Sequence, residues 1–227
     1  MHYTLTILIP MYNEERTIVE VYRAIIRSCP DAEILCIDDG STDGSTDVLA
    51  SALRKTDRLI TIPHAGKGAA IRAGLREANG EYIVIQDADL EYNPGEIPLL
   101  LQEAVAHPGC AVFGSRFLCP NPNIYKRYLL GNKVLTQWMN MLFGAKISDS
   151  YTCYKLLPTT LFRELNITAT GFELEAEICA KCLSKGVDIR EVPVHYKPRT
   201  IAEGKKIGWK DACKGIWTTL RIRWFSR

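Results

Sequence analysis

Four short runs of apolar and β-branched residues, 5–9, 33–37, 58–62 and 81–85, are each followed by turn residues and then by a stretch with helical spacing. Runs of this length, bounded by turn residues, predict strands, those at 5–9 and 81–85 buried. Their strict alternation with helices predicts an α/β chain built on a doubly wound, mostly parallel sheet with flanking helices. Pro10 is expected to end the first strand, and Asn13 to cap a helix carrying Ile18, Val21, Tyr22, Ile25 and Ile26 before Pro30 closes it. Later, Pro94 opens a helix through Leu99, Leu100 and Val105, and 110–114 reads as another strand. Helices are predicted over 128–143 and 173–183, a strand over 189–194, and a last helix from Gly208. With no repeat or low-complexity linker in the 227 residues, one domain spanning 1–227 is expected, ending in a basic amphipathic tail, 208–227.

In open α/β sheets ligands bind beyond the C-terminal ends of the strands, so the residues expected there carry the chemistry. Asp87, Asp89 and Glu91 stand at alternate positions after the fourth run, and Asp38-Asp39 follows the second. Hard oxygen ligands at this spacing suit a divalent cation that also carries substrate phosphates, although an Asp-x-Asp pair alone also reads as a solvated acidic turn. Two strand-end carboxylate sites facing one crevice fit a sugar nucleotide. One accepts hydrogen bonds from base or ribose, while the other, through the metal, holds the diphosphate. Rival phosphate motifs are missing: Gly66-Lys67-Gly68-Ala69-Ala70-Ile71 lacks the third glycine of a dinucleotide fingerprint, and no Walker pattern occurs. Lys67, at a helix N-terminus, either touches phosphate or faces solvent.

Charge is distributed unevenly. Nine basic residues against two acidic ones in 197–227 give that segment +7, which leaves −5 elsewhere in an overall charge of +2. Trp209, Ile216, Trp217, Leu220, Trp224 and Phe225 are interleaved with that charge, which favours an anionic membrane surface over nucleic acid. No run reaches the roughly 18 apolar residues of a membrane span, and Met1-His2-Tyr3-Thr4 leads straight into a strand rather than a signal peptide. A cytoplasmic or peripheral protein is expected. The eight scattered cysteines read as reduced, and Cys179-Ala180-Lys181-Cys182 lies in a helical pattern without a second pair at zinc spacing. Nothing in the sequence sets an oligomeric state.

Five motifs occur in a telling order: Ile9-Pro10-Met11-Tyr12-Asn13-Glu14, Ile37-Asp38-Asp39-Gly40-Ser41-Thr42-Asp43, Gly66-Lys67-Gly68, Asp87-Ala88-Asp89-Leu90-Glu91 and Gly114-Ser115-Arg116. In this the chain resembles the inverting GT-A glycosyltransferases of family two, of the dolichol-phosphate mannose synthase, or polyprenyl-phosphate hexosyltransferase, type. The resemblance implies a GT-A fold in which Pro10, Tyr12, Glu14, Ile37 and Asp39 line the nucleoside pocket. It further implies that Lys67, Asp87 and Ala88 meet the donor, and that Asp87, Asp89 and Glu91 hold Mg²⁺ or Mn²⁺, with Asp89 essential to catalysis. The family often has Gln in place of Glu91, which adds negative charge. Residues 199–205 resemble the loop whose Arg199 and Lys205 close over the donor diphosphate, with Ala202 where that loop has Gly. Arg116 and Arg127 fall where the family binds the acceptor phosphate.

A transferase acting on a sugar hydroxyl needs a general base, and the Glu-Asp and Gln-x-x-Arg-Trp motifs of polysaccharide-making relatives are absent from this sequence. A phosphate monoester, with a second pKa near 6, needs none. Arginines without a base suit a polyprenyl phosphate acceptor, and the resemblance implies a donor of the GDP-mannose or UDP-glucose type. Rival expectations are a soluble transferase with a hydroxyl acceptor, a nucleotide-sugar-binding module without turnover, and a nucleotidyl transferase, the last lacking its glycine-rich N-terminal loop.

Overall fold

Strands with no polar alternation leave no face for solvent, and β1 (Leu5–Met11) and β2 (Glu33–Asp38) are buried at every position. The computed structural model describes residues 3–121, 126–199 and 209–225. Five further strands, β3 (Arg58–Thr61), β4 (Tyr82–Ile85), β5 (Ala111–Ser115), β6 (Lys155–Pro158) and β7 (Ile189–Pro193), complete a sheet in the order β3-β2-β1-β4-β6-β5-β7. β6 runs antiparallel to both its neighbours and every other pairing is parallel. The mostly parallel α/β sheet expected from the alternation is therefore the one found.

Helices α1 (Ile18–Ser28), α2 (Ser45–Ala50), α3 (Lys67–Glu77) and α4 (Ile97–Ala106) fill the crossovers of the first half. α3 packs on β1 and β2, and α4 on β5, β6 and β7. After these come α5 (Lys126–Phe143), α6 (Thr159–Glu164), α7 (Leu174–Ser184) and α8 (Trp209–Phe225), of which α5, α7 and α8 pack on one another. Gly215 lets α8 lie against the sheet domain, since a Cβ there would meet Tyr151 Oη at 2.0 Å.

Pro10 does not end its strand, because it pairs in register with Ile37. Alternate residues of β1 bond to opposite neighbours: Leu8 accepts from Gln86 on the β4 side, and Met11 from Asp39 on the β2 side. Pro10 faces β4 just where that ladder stops, at Leu8 and Ile85, so its missing N–H deprives no strand partner. Asn13 does not cap α1. Its backbone is left-handed (φ 55°), and its Oδ1 accepts from the Thr42 amide at 2.8 Å, which ties the loop after β1 to the loop after β2.

The strand order puts a topological switch between β1 and β4, where the chain has built outward in one direction and then begins on the other side. Because β5 is parallel to β1 and β4, its C-terminal residue delivers Arg116 to the same edge. Antiparallel β6 begins at that edge, which brings Cys153 and Lys155 there as well.

Candidate active site

A cavity of about 460 Å³ opens at this edge. Pro10, Tyr12, Glu14 and Asp39 line one end, with the Tyr12 ring stacked on His64 at 4.2 Å between centroids. Asp39 faces inward as well: its oxygens accept from the amides of Ala65 (2.8 Å) and Gly66 (2.9 Å), and His64 Nδ1 lies 2.9 Å away. It thereby shapes the turn that leads into α3. Ile37 is not at the cavity. A strand buried on both faces does not reveal which face a residue takes, and Ile37 points into the core toward α3, where Gly74 leaves it room.

Asp87, Ala88, Asp89 and Glu91 all line the cavity, but the three carboxylates are not gathered as one ligand set. Leu90 has φ 61°, a left-handed turn braced by the Glu91 amide bonding to Asp89 Oδ1 at 3.1 Å. Beyond β4 the strand alternation therefore fails, and Glu91 swings away. Its Oε2 accepts from Tyr196 Oη (2.5 Å) and its Oε1 from the Arg199 amide (2.7 Å). Among the described residues, no three His, Cys, Asp or Glu side chains are placed together to hold a metal ion. The two aspartates still fit a hard divalent cation. Burial, then the charges of Asp87 and Glu91, push the Asp89 carboxyl up to about 7, so this corner carries more negative charge than its own cations balance.

Lys67 does not face solvent. Its ammonium lies 2.7 Å from Asp87 Oδ1 and 3.0 Å from Glu175 Oε1. Burial alone would lower its pKa, but Asp87, Cys153 and Glu175 hold it well above the ordinary lysine value. Gly66 (φ 95°) and Gly68 allow the start of α3 to press against the loop before α7, for a Cβ on Gly68 would sit 2.1 Å from the Ala169 carbonyl oxygen. Arg199 bridges the switch point: Nη1 and Nη2 meet Glu14 Oε1 and Oε2 at 3.0 and 2.6 Å, and Nε donates to the Asp89 carbonyl at 3.1 Å. Lys205 lies outside the described residues.

At the other end Arg116 lines the cavity, with most of its guanidinium already held. Nε and Nη2 meet Asp149 Oδ2 and Oδ1 at 2.7 and 2.8 Å, and the Tyr196 ring lies 5.1 Å away. The side chain of Arg127 lies outside the described residues. Leu135 of α5, Tyr151, Phe172 and Ala212 of α8 extend the cavity as an apolar mouth.

His64, Asp149, Lys155, Glu175 and Tyr196 join the site without being expected there from the sequence. His64 had a signal, an aromatic side chain in a glycine turn at a strand end. The others meet partners 20 to 108 positions away, and their local sequence carries none.

The family model for glycosyl transferase family 2 matches residues 6–165. Among curated proteins, the low-salt glycan biosynthesis hexosyltransferase Agl6 of Haloferax volcanii is 27% identical over 206 residues, covering 86% of this chain and 48% of that protein. An undecaprenyl-phosphate 4-deoxy-4-formamido-L-arabinose transferase of Salmonella is 28% identical over 212 residues, covering 88% and 62%. The chain thus spans about half to three-fifths of these relatives. Among solved structures, glucosyl-3-phosphoglycerate synthase of Mycobacterium tuberculosis, in complex with Mn²⁺, UDP and phosphoglyceric acid, superposes with a TM-score of 0.74 at 19% identity, covering 97% of this chain and 78% of that one. The sheet is of the GT-A type.

Proposed function

This chain belongs to glycosyl transferase family 2, and we propose that it moves a hexose, with inversion, from a nucleotide sugar to a polyprenyl phosphate at a membrane surface. The observation that carries the choice of acceptor is the state of the carboxylates lining the cavity. Glu14 is paired with Arg199, Asp87 with Lys67, and Glu175 with both Lys67 and Lys155, while Asp39 and Glu91 accept from backbone amides and Tyr196. Asp89 lies within the acidic corner itself. Asp89 apart, which this reading commits to the metal, the described carboxylates lining the cavity are held by partners and not set as a base against a hydroxyl, and a phosphate acceptor requires none. A phosphate oxygen attacks the anomeric carbon as the bond to the departing nucleoside diphosphate breaks, and that group leaves with the electron pair.

In this reading Pro10, Tyr12, Glu14 and Asp39 enclose the nucleoside. Asp87 and Asp89 would hold Mg²⁺ or Mn²⁺, which supplies positive charge opposite the leaving diphosphate. Arg116, braced by Asp149, offers its remaining nitrogen to the acceptor phosphate, so positioning is prepared before the lipid arrives. The UDP and Mn²⁺ of the M. tuberculosis enzyme support the donor and metal, and the name of the Salmonella relative supports the acceptor.

The apolar mouth leads toward α5 and α8, which are joined by Trp138 Nε1 donating to Thr219 Oγ1 at 3.0 Å. α8 buries Gly215, Thr219 and Ile222, yet Trp217 and Trp224 are 66% and 61% exposed, which favours interfacial docking over packing onto the sheet. Phe225 and, on α5, Leu130, Val134 and Met141 are exposed too, beside Lys214, Arg221 and Arg223. Each basic residue near an anionic leaflet contributes about 1 kcal/mol. No helix among the described residues is long and apolar enough to cross a membrane. A peripheral position on the cytoplasmic leaflet follows from this reading, with 208–227 as the docking tail of one domain.

The test presents short-chain polyprenyl phosphate in anionic vesicles to a panel of nucleotide sugars with Mn²⁺ or Mg²⁺. One donor should label the lipid, at a rate that falls with salt as the screening length shrinks to about 10 Å at 0.1 M. No labelled lipid from any donor overturns the transfer, and salt-insensitive labelling overturns the electrostatic docking.

A further inference from the structure

Behind the donor corner lies a line of four alternating charges, of which the proposed transfer itself uses only the outermost, Asp87. Lys155 Nζ is 2.6 Å from Glu175 Oε2, Glu175 Oε1 is 3.0 Å from Lys67 Nζ, and Lys67 Nζ is 2.7 Å from Asp87 Oδ1. Exposure falls steadily along the line, from 23% at Asp87 through 16% at Lys67 and 9% at Glu175 to none at Lys155. The innermost ammonium also donates to the Thr152 carbonyl and lies over the Phe113 ring at 5.1 Å. We propose that Glu175 is a positioning residue of the donor site, acting through Lys67: anchored by Lys155, it fixes the Lys67 ammonium so that Asp87 is held in one orientation for the metal and diphosphate.

A lysine on four methylenes is a mobile point charge, and paired with Asp87 alone it would follow that carboxylate wherever it turned. Glu175 gives it a second, deeper tether. The backbone is arranged for the same meeting, since the Gly68 amide donates to the Thr170 carbonyl at 2.9 Å and so sets the start of α3 against the loop entering α7. A buried ion pair adds little stability over an apolar pair of the same volume, so stability alone gives no reason to place Lys155 and Glu175 here. Orientation of the corner does. Partners behind a ligand typically change affinity by about 10- to 100-fold when lost.

The inference rests on the donor reading above, and the experiment separates the two. Calorimetry measures UDP and GDP binding with Mn²⁺ to the wild type, to Glu175→Gln, and to the double variant Lys155→Met, Glu175→Gln, which removes the inner pair together and leaves no buried charge unpaired. Both variants should bind the preferred nucleotide about 10- to 100-fold more weakly. Donor KM should rise in step, with acceptor KM unchanged, a split that loss of fold alone does not produce. Wild-type affinity in the double variant overturns the inference, because charge balance and not tethering would then be what matters. A wild type that binds neither nucleotide overturns the donor reading and the inference with it.

Discussion

Asp89→Ala is expected to slow sugar transfer by about 10³-fold, equivalent to about 4 kcal/mol in the transition state, while the protein still folds. In the proposed mechanism the loss falls on the chemical step, because Asp89 would stand where the leaving diphosphate gathers charge and the cation offsets it. Folding survives because the repulsion relieved among like charges offsets the one brace lost, the bond from the Glu91 amide. Burial, Asp87 and Glu91 all disfavour its ionised form, so its removal relieves repulsion. Initial rates of the purified variant, with a thermal melt beside them, check both halves. An undiminished rate in the variant, or in the wild type with excess chelator, would contradict the metal assignment.

Removing Asp149 has the opposite character. Arg116 is 7% exposed and Asp149 fully buried, and their two-pronged pair is reinforced by the Arg116 amide, which also donates to Asp149 at 3.1 Å. Asp149→Ala leaves a guanidinium in the interior without its counter-charge, at a cost of about 3–5 kcal/mol. At this chain length that lowers the melting temperature by about 10 °C. Replacing the pair together, Arg116→Met with Asp149→Leu, should recover much of the stability but none of the acceptor binding. Scanning calorimetry of the three proteins decides the matter, and an Asp149→Ala melt equal to the wild type would mean that Arg116 is not held as described.

The second expectation turns on a pairing that only the folded chain reveals. The parallel strands were legible because β1, β2 and β4 are buried on both faces and so read as unbroken apolar runs. β6 and α6 were not, because Lys155-Leu156-Leu157-Pro158 is four residues long, opens on a charge and ends on proline. That lysine is tolerated because Glu175, 20 positions on in α7, pairs with it, beside the Thr152 carbonyl and the Phe113 ring. The site showed the same division. The carboxylates at the end of β4 were visible as a pattern, yet extending the alternation to Glu91 failed at the left-handed Leu90. Arg116 was visible as a strand-end arginine, but Asp149, which claims most of its hydrogen-bonding fork, is 33 positions away. Ile37, implied at the nucleoside pocket by resemblance alone, lies in the core beside Gly74, and a two-sided strand carries no periodic cue to such a position.

The central claim is that the acceptor is a phosphate and that the protein supplies no base. The most direct measurement offers the active nucleotide sugar to two lipids of the same prenyl length, one ending in phosphate and one in a free hydroxyl, and follows label into each. Label should enter only the phosphate lipid, with a rate that rises with pH through the second phosphate ionisation near 6 and then levels. Comparable transfer to the free alcohol would contradict the account, for it would require a general base, whereas Glu14, Asp39, Asp87 and Glu175 are paired or turned to backbone amides and Asp89 is assigned to the metal.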